Sequence, residues 1–249
     1  MIPIKSPAEI EKMRAAGDLA ARVLNEIADM VEPGITTGEL DRHAGRIIAA
    51  AGAKSAFFGY RKYPGQLCIS INEEVVHGIG GPRKINYGDI VSLDCGVNLD
   101  GWIGDTAVTV PVGIVDPEVE ELLRVTEQSL ESALQFVVAG RRLGDLCAHI
   151  EETVLKGGYS VVREFVGHGV GRKLHEEPQV PNYGKPKRRE KLVSGLTLAI
   201  EPMVNVGGPA TKTLSDKWTI VTVDGSLSAH FEHTVAITDD GPRVLTRAS

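Results

Sequence analysis

An internal repeat constrains the fold of this chain more than any other feature of its sequence. Five residues recur at a constant displacement of 106 positions: Gly34, Gly38, Leu40, His43 and Gly52 return as Gly140, Gly144, Leu146, His149 and Gly158. Each set lies in a segment whose apolar residues have helical spacing. A diverged duplication, with halves of about 1–115 and 116–249, explains five coincidences better than shared glycine punctuation of unrelated helical hairpins.

Helix start signals and apolar strands recur in both halves. Ser6 and Glu9 have the spacing of a capping box. Thr36 or Thr37 can cap a second helix, and the helical pattern begins again at Asp116. The order predicts an α+β fold, in which two pseudo-twofold-related helix-helix-strand halves surround a central antiparallel sheet, with a functional site where the halves meet.

Composition narrows the class of protein. A chain of 249 residues with 42% hydrophobic content can bury the core of one domain, so 1–249 is predicted to be a single domain. Its net charge of −6 argues against DNA binding, and it has no apolar stretch of the length of a signal peptide or membrane span. Three scattered cysteines indicate a reducing cytoplasm rather than a disulfide framework.

Two acidic residues stand in adjacent apolar strands. Asp94 follows Ile90–Leu93, Asp105 precedes Thr106–Val108, and Asn98–Gly101 lies between the two strands. The pattern predicts a hairpin. A four-residue loop would place the two carboxyls directly opposite each other, whereas a two-residue loop would shift the pairing but keep both on one face. Facing like charges on an apolar sheet are destabilising, so a compensating cation is expected.

Two further acids in apolar surroundings, Glu201 and Glu232, extend the same pattern, and His168 lies between Gly167 and Gly169. No lysine or arginine interrupts the two hairpin strands. Salt bridges from elsewhere and a metal-free carboxyl dyad that shares a proton remain alternatives. Four carboxylates and one imidazole suit hard or borderline divalent cations, so we favour a hydrolytic centre with two metal ions.

Several short motifs complete the picture: Asn72–Gly78, Gly104–Thr106, Gly167–Gly171, His175–Pro178, Ile200–Met203 and Phe231–Thr234. Together they resemble, essentially from end to end, the methionine aminopeptidases of the short type I bacterial form, whose fold is informally called pita-bread. The resemblance implies a metalloaminopeptidase that hydrolyses the N-terminal methionine from nascent proteins with a small second residue. It further implies that a hydroxide activated between two metal ions attacks the first carbonyl.

The resemblance also assigns roles to residues of this chain. It implies a metal-ligand set of Asp94, Asp105, His168, Glu201 and Glu232. It implies catalytic roles for His77, His175 and Glu201, in which Glu201 moves a proton and the two histidines contact substrate. The methionine pocket is expected to be lined by Tyr60, Tyr63, Cys68, Met203 and Trp218, although core packing alone would also explain such residues. The metal is expected to be cobalt, manganese, iron or zinc.

Partners and competing functions complete the expectations. N-terminal methionine peptides and nascent polypeptides are the expected partners of a cytoplasmic monomer that binds neither DNA nor membrane.

The basic stretch between Lys185 and Lys191 is typical of a solvated loop and also motivates a hypothesis of ribosome contact. Proline-specific aminopeptidases and creatine-cleaving enzymes use similar ligands but carry an additional N-terminal domain. A catalytically silent module that binds peptide termini is the alternative from another class.

Overall fold

The computed structural model describes residues 2–248 of the chain. Its helices are α1 (Pro7–Asp29), α2 (Thr37–Ala50), α3 (Pro117–Ala133) and α4 (Leu143–Lys156), with short 3₁₀ turns at Tyr60–Lys62 and Leu134–Phe136. Its strands are β1 (Lys54–Ser55), β2 (Cys68–Ile71), β3 (Glu74–Val76), β4 (Ile90–Leu99), β5 (Trp102–Pro111), β6 (Ser160–Val161), β7 (Gly167–Gly169), β8 (Glu176–Val180), β9 (Thr197–Ile200), β10 (Met203–Asn205), β11 (Thr211–Thr213), β12 (Ile220–Thr222), β13 (Ser228–His230), β14 (Glu232–Thr238) and β15 (Gly241–Val244).

The first two helices begin where the sequence predicts. The Ser6 side chain accepts a hydrogen bond from the Glu9 amide, and the Glu9 carboxylate accepts one from the Ser6 amide. Thr36, rather than Thr37, forms the equivalent reciprocal pair with Glu39 at the start of α2. Both capping boxes satisfy backbone amides that a helix start leaves without internal partners.

The hairpin between β4 and β5 decides between the two predicted registers. Leu99 pairs with Trp102, which leaves a two-residue turn at Asp100 and Gly101. Both turn residues have positive φ, +53° and +79°, as a type I′ turn requires. The direct opposition of Asp94 and Asp105 is therefore wrong. They are diagonal neighbours on one face, because the Asp-Gly pair favours the tight turn.

A nine-stranded antiparallel sheet forms the centre of the described molecule. Its main order is β1-β4-β5-β14-β9-β7-β8, with β2 also pairing with β4 and β15 with β14. Strands β5 and β14 come from different halves of the sequence and lie side by side at its middle. Two three-stranded sheets, β13-β10-β6 and β11-β12-β3, lie beside it. The predicted α+β class and antiparallel sheet are confirmed.

Each half has its own apolar core. The α1 and α2 helices pack on β4 through a cluster that includes Leu24, Leu40 and Leu93. The α3 and α4 helices pack on β9 and β14 through a separate cluster that includes Leu130 and Leu146. A third cluster joins the halves and reaches the face of the sheet on which the acids lie. Burial of these side chains contributes about 25 cal/mol per Å² of apolar surface.

The repeated residues have matching conformations, which supports the proposed duplication within one domain. Gly34 and Gly140 both have positive φ, +98° and +95°. Their amides donate to the carbonyls of Ile85 and Leu192, at 2.8 and 2.9 Å. The helices α2 and α4 begin and end at residues 106 positions apart. His43 and His149 each contact the preceding helix, through Glu26 and Ser132, which are also 106 apart.

The basic stretch lies at the surface of the described molecule. Residues 185–191 form an exposed irregular loop, as the sequence predicts for the basic stretch. Its local backbone is tied to α4, since the Lys187 amide donates to the Asp145 carboxylate at 2.7 Å. Among residues 2–248, none of the helices combines the length and apolar character needed to cross a bilayer.

Candidate metal centre and active site

Strand pairing gathers the acids at the middle of the sheet. Asp94 of β4 pairs with Ala107 of β5, and Ala107 pairs with Glu232 of β14, so the three residues form one row across both halves. Cys68 of β2 continues the row beyond Asp94. Asp105 lies two residues from Ala107 and so shares its face. The small side chain at Ala107 leaves room above the strand for the flanking carboxyls.

The remaining two groups arrive from the second half. His168 lies in β7, and Glu201 directly follows β9. The glycines beside His168 permit close strand contacts, because a Cβ on Gly167 would lie 2.4 Å from the Ala199 carbonyl oxygen and one on Gly169 would lie 2.3 Å from that of Glu177. These glycines therefore serve the packing of the neighbouring strands around His168.

The imidazole of His168 faces the carboxyls with its Nε2 atom. That nitrogen lies 3.4 Å from Glu201 Oε1 and 3.8 Å from Asp105 Oδ2. The other nitrogen, Nδ1, lies 2.9 Å from the Gly169 carbonyl oxygen, which can only accept a hydrogen. With Nδ1 protonated, Nε2 of the neutral ring presents a lone pair to the acids, as a metal-ligating histidine does.

Several carboxylate oxygens are buried without a partner. They are Asp94 Oδ1, Asp105 Oδ1 and Glu232 Oε1. Among the ion pairs of residues 2–248, none links a lysine or arginine to any of the four acids, so the salt-bridge alternative is wrong for the described chain. Ligand atoms of Asp105, His168 and Glu232 lie within 4.8 Å of one another. A divalent cation fits this set of oxygens and one nitrogen.

Burial shifts the titration of every group in the cluster. Loss of solvent, followed by the charge of Asp105, raises the pKa of Asp94. Burial also raises the pKa of Glu201 and Glu232, with neighbouring carboxylates adding to the effect. Burial lowers the pKa of His168 to about 3, so the imidazole is neutral near pH 7 and does not itself supply a positive charge.

Three threonines hold the two central strands at the site. The Asp105 amide donates to Thr234 Oγ1, whose hydroxyl donates to the Asp105 carbonyl at 2.8 Å. The Thr106 hydroxyl donates to the Glu232 carbonyl at 2.9 Å. Thr109 exchanges two further bonds with the backbone of residue 230. These bonds fix the backbone beneath two acids, a role that the sequence did not identify.

All twelve residues singled out by the sequence line one cavity of about 380 Å³, and their individual roles stay predictions. The five metal-ligand candidates are among them. His175 lies close to His168, with ring centroids 4.3 Å apart, and its Nδ1 is 2.8 Å from the Tyr60 hydroxyl oxygen. His77 also lines the cavity and contacts Phe165 and Trp218 edge to face, with ring centroids 5.6 and 6.2 Å apart.

His77 combines an unusual backbone with a buried ring. Its φ is +62°, a conformation that non-glycine residues rarely adopt and that clusters at functional sites. Burial, followed by the charge of His175, lowers the pKa of His77 to about 4, so the ring is neutral near pH 7. The Tyr63 hydroxyl donates to the carbonyl of the next residue, Gly78, at 2.7 Å, which anchors this segment to the wall of the cavity.

Comparisons with known proteins agree with this geometry. A model of metallopeptidase family M24 matches residues 11–239. A methionine aminopeptidase of Clostridium perfringens is 50% identical over 246 residues, which cover 99% of each chain. The chain belongs to metallopeptidase family M24, among the methionine aminopeptidases. M24 membership and the buried Asp/His/Glu group together identify a divalent metal ion as its cofactor.

Solved structures confirm the fold. The crystal structure of methionine aminopeptidase from Thermotoga maritima is 48% identical, with a TM-score of 0.97 and coverage of 99% of this chain and 100% of that one. A prolidase from Pyrococcus furiosus is 22% identical, with a TM-score of 0.80, and the alignment covers 99% of this chain but only 66% of the prolidase. The chain therefore has the pita-bread fold of the M24 peptidases.

The cavity also includes residues that the sequence did not connect with the site: Phe57, Arg61, Val76, Glu164, Phe165, Val166 and Gln179. Most of them lie outside any periodic pattern, and Phe165 lies in a segment with no regular structure.

His230 lies in a different strand from Glu232, because β13 ends at His230 and β14 begins at Glu232. Its Nε2 lies 3.7 Å from Glu201 Oε2.

The metal-free M24 protein is expected to lose stability as the pH rises from about 6.5 to 8. Unfolded carboxyls titrate near pH 4, whereas burial raises the pKa of Asp105 to about 7 and raises those of the other three. The folded state then holds protons that the unfolded chain has already released, so raising the pH removes stability. Buried histidines have the opposite sign, but their effect is already half complete at the unfolded pKa of about 6.5 and ends near pH 7.5, so the four carboxyls decide the direction over this interval.

Thermal unfolding in a chelator at pH 6.5 and pH 8 measures this dependence. A saturating divalent metal should weaken or abolish it, since a bound cation stabilises the charged carboxylates. A chelated protein with a Tm that rises over the same interval would contradict the assignment of these four acids as an uncompensated cluster.

Proposed function

We propose that this protein hydrolyses the N-terminal methionine from new polypeptides whose second residue is small, using two divalent metal ions. Asp94, Asp105, His168, Glu201 and Glu232 would hold the ions. The observation that carries the proposal is the set of buried, unpartnered carboxylate oxygens facing the lone pair of His168. When bound, the ions would act as Lewis acids on the first carbonyl and make the attacking water more acidic.

Glu201 is proposed to move the proton. Its carboxylate lies within 3.4 Å of His168 at the edge of the cluster, and 14% of its side chain remains exposed, so it can reach both the cluster and the cavity. It would accept a proton from the attacking water and pass it to the leaving amine, as a general base and then a general acid. Nearby His230 Nε2, which is buried without a hydrogen-bond partner, faces the other Glu201 oxygen.

The two cavity histidines are proposed to hydrogen-bond the substrate. Burial lowers the pKa values of His77 and His175, so both rings are neutral and can each donate one hydrogen near pH 7. If the Tyr60 hydroxyl donates to Nδ1 of His175, the ring hydrogen lies on Nε2 and is available to the peptide or the developing oxyanion.

Tyr60→Phe is expected to lower kcat by about two- to tenfold, because a neutral hydrogen bond that orients a ring contributes about 0.5–1.5 kcal/mol. Steady-state kinetics on a Met-Ala peptide, with metal content measured in parallel, check this. Tyr87→Phe, on an exposed loop, is the matched control. An unchanged kcat in Tyr60→Phe would remove Tyr60 from the positioning of His175.

The methionine side chain is proposed to enter the apolar end of the cavity. Tyr63 and Trp218 meet edge to face there, with ring centroids 5.0 Å apart, and the buried Met203 and Cys68 line the same cavity. Aromatic rings and sulfur atoms suit a flexible thioether. Tyr60 completes the proposed pocket from the side of His175.

Peptide selectivity tests the proposal against its competitor within the fold. A metal-loaded sample should cleave Met-Ala-Ser, and it should cleave Met-Leu-Ser and Ala-Pro-Ser far more slowly. Preference for the Xaa-Pro peptide would instead favour a proline-specific aminopeptidase. Failure to cleave any of the peptides while metal binds would favour the silent peptide-binding module.

The cellular setting is also a proposal. A monomer in the cytoplasm that meets nascent chains would use cobalt, manganese, iron or zinc according to availability. The positive side chains of the exposed basic loop at 185–191 are proposed to contact phosphate groups of ribosomal RNA. Ribosome cosedimentation that falls with salt and with charge reversal at Lys187 and Arg188 would support this, whereas salt-insensitive cosedimentation would oppose it.

A further inference from the structure

The segment before the first helix is fixed to the active-site side of the molecule by a buried ion pair. Residues 2–5, the N-terminal strap, run past Gly195, whose carbonyl accepts a hydrogen bond from the Lys5 amide at 2.7 Å. The Lys5 ammonium lies 2.6 Å from Glu176 Oε2, and the two side chains are only 4% and 7% exposed. The strap therefore ends in a charge pair that is nearly removed from water.

Glu176 also binds the turn that precedes it. Its other oxygen, Oε1, accepts hydrogen bonds from the backbone amides of Arg172 and Lys173, at 3.0 and 3.2 Å. Residues 171–175 have no helix or strand of their own. Both carboxylate oxygens are thus in use, one toward the turn and one toward Lys5, and His175 is the residue directly before Glu176.

Two glycines make room for the pair. A Cβ on Gly171 would lie 2.6 Å from Lys5 Cε and 2.9 Å from Glu176 Oε1. A Cβ on Gly195, which has φ +88°, would lie 2.5 Å from the Lys5 carbonyl oxygen. Neither glycine therefore leaves space for a side chain next to Lys5. The lysine occupies a close-fitting slot between these two segments.

We propose that Lys5 is a positioning residue for the reaction, which acts through Glu176 to hold the 171–175 turn and thereby His175 against the metal centre. The inference rests on the proposed role of His175. Without the ammonium, the Glu176 carboxylate is buried with no cation, and its simplest relief is to move toward water. The turn and His175 would move with it, away from His168 and Tyr60.

Lys5→Met tests the proposal, because methionine keeps the length of the stem and removes the charge. We expect kcat on Met-Ala-Ser to fall about ten- to a hundredfold, the scale of a misplaced active-site group, with little change in KM. Hydrogen exchange of residues 171–176 should become faster. Lys12→Met, at an exposed lysine on α1, is the matched control and should change neither quantity.

A second substitution separates positioning from general damage. Lys5→Met/Glu176→Gln buries no unpaired charge, and its amide oxygen can still accept from the turn, so kcat and exchange should return toward wild type. If Lys5→Met does not fold, Gly171→Ala decides instead, since its methyl group displaces the same pair without changing any charge. It should give the same loss of kcat and faster exchange.

The exchange measurement needs no substrate, so it tests the link between strap and turn even if methionine peptides are not cleaved. Slower turnover with faster exchange of 171–176 supports the proposal. Unchanged kcat, or a lower kcat with unchanged exchange, overturns it, because either result separates Lys5 from the turn that carries His175.

Discussion

Asp105→Asn is expected to lower kcat/KM by at least about 10³-fold, equivalent to roughly 4 kcal/mol of transition-state stabilisation. Asp105 lies on the central strand of the sheet, with one oxygen near His168 and the other buried without a partner. An amide presents a neutral oxygen where a proposed metal ligand needs a negative one. Metal affinity should fall with activity, as calorimetric titration with Mn²⁺ would show.

The same variant has an opposite expected effect on the metal-free protein. Removing one of four mutually repelling buried acids should raise the Tm measured in chelator, while abolishing most of the Tm increase that metal gives the wild type. Asp100→Asn, in the turn of the same hairpin, is the control, because asparagine tolerates its positive φ of +53°. A lower Tm of Asp105→Asn in chelator would contradict the uncompensated-charge account.

His77→Ala should lower kcat by about 10²- to 10³-fold, the range for loss of one donor to a developing oxyanion. The metal content should remain that of the wild type, since His77 lies on the wall of the cavity beside Phe165 and Trp218 and is not among the proposed ligands. Steady-state kinetics and elemental analysis of the same samples measure the two effects.

Backbone strain needs a separate control at this position. The φ of +62° at His77 suits asparagine better than alanine, so His77→Asn keeps the conformation and offers an amide donor. It should retain more activity than His77→Ala. His43→Ala, on α2, should retain full activity. Equal activity of His77→Ala and wild type would remove His77 from the mechanism.

Local chemistry made much of the fold predictable from sequence. The capping box at Ser6 acts over a few residues and can be read directly from the chain, whereas the second cap was narrowed to Thr36 or Thr37. The apolar pattern of the two strands is compatible with two hairpin registers, and the Asp100-Gly101 pair, a strong type I′ turn signal, favours the observed one.

The candidate site can be predicted from sequence where an ionisable residue lies in an apolar strand. Asp94 and Glu232 stand in apolar strands and demand a cation, whatever the tertiary structure. Phe165 and Gln179 offer no such signal. Phe165 is an apolar residue in an irregular segment, and Gln179 is an amide in a partly exposed strand, so neither residue type is unusual in its surroundings.

Long-range pairs were beyond reach of sequence reasoning. Lys5 and Glu176 lie 171 residues apart and meet only through the folding of both halves. His230 comes near Glu201 because two strands are interrupted there: β9 ends before β10 begins, and β13 ends before β14 begins. The periodicity of the strands does not predict these interruptions.

Anomalous diffraction from crystals grown with Mn²⁺ tests the central claim most directly. We expect two manganese peaks among the carboxylates of Asp94, Asp105, Glu201 and Glu232, one of them also bound by His168 Nε2. Acidic side chains turned away from one another, with no anomalous peak between them, would contradict the account.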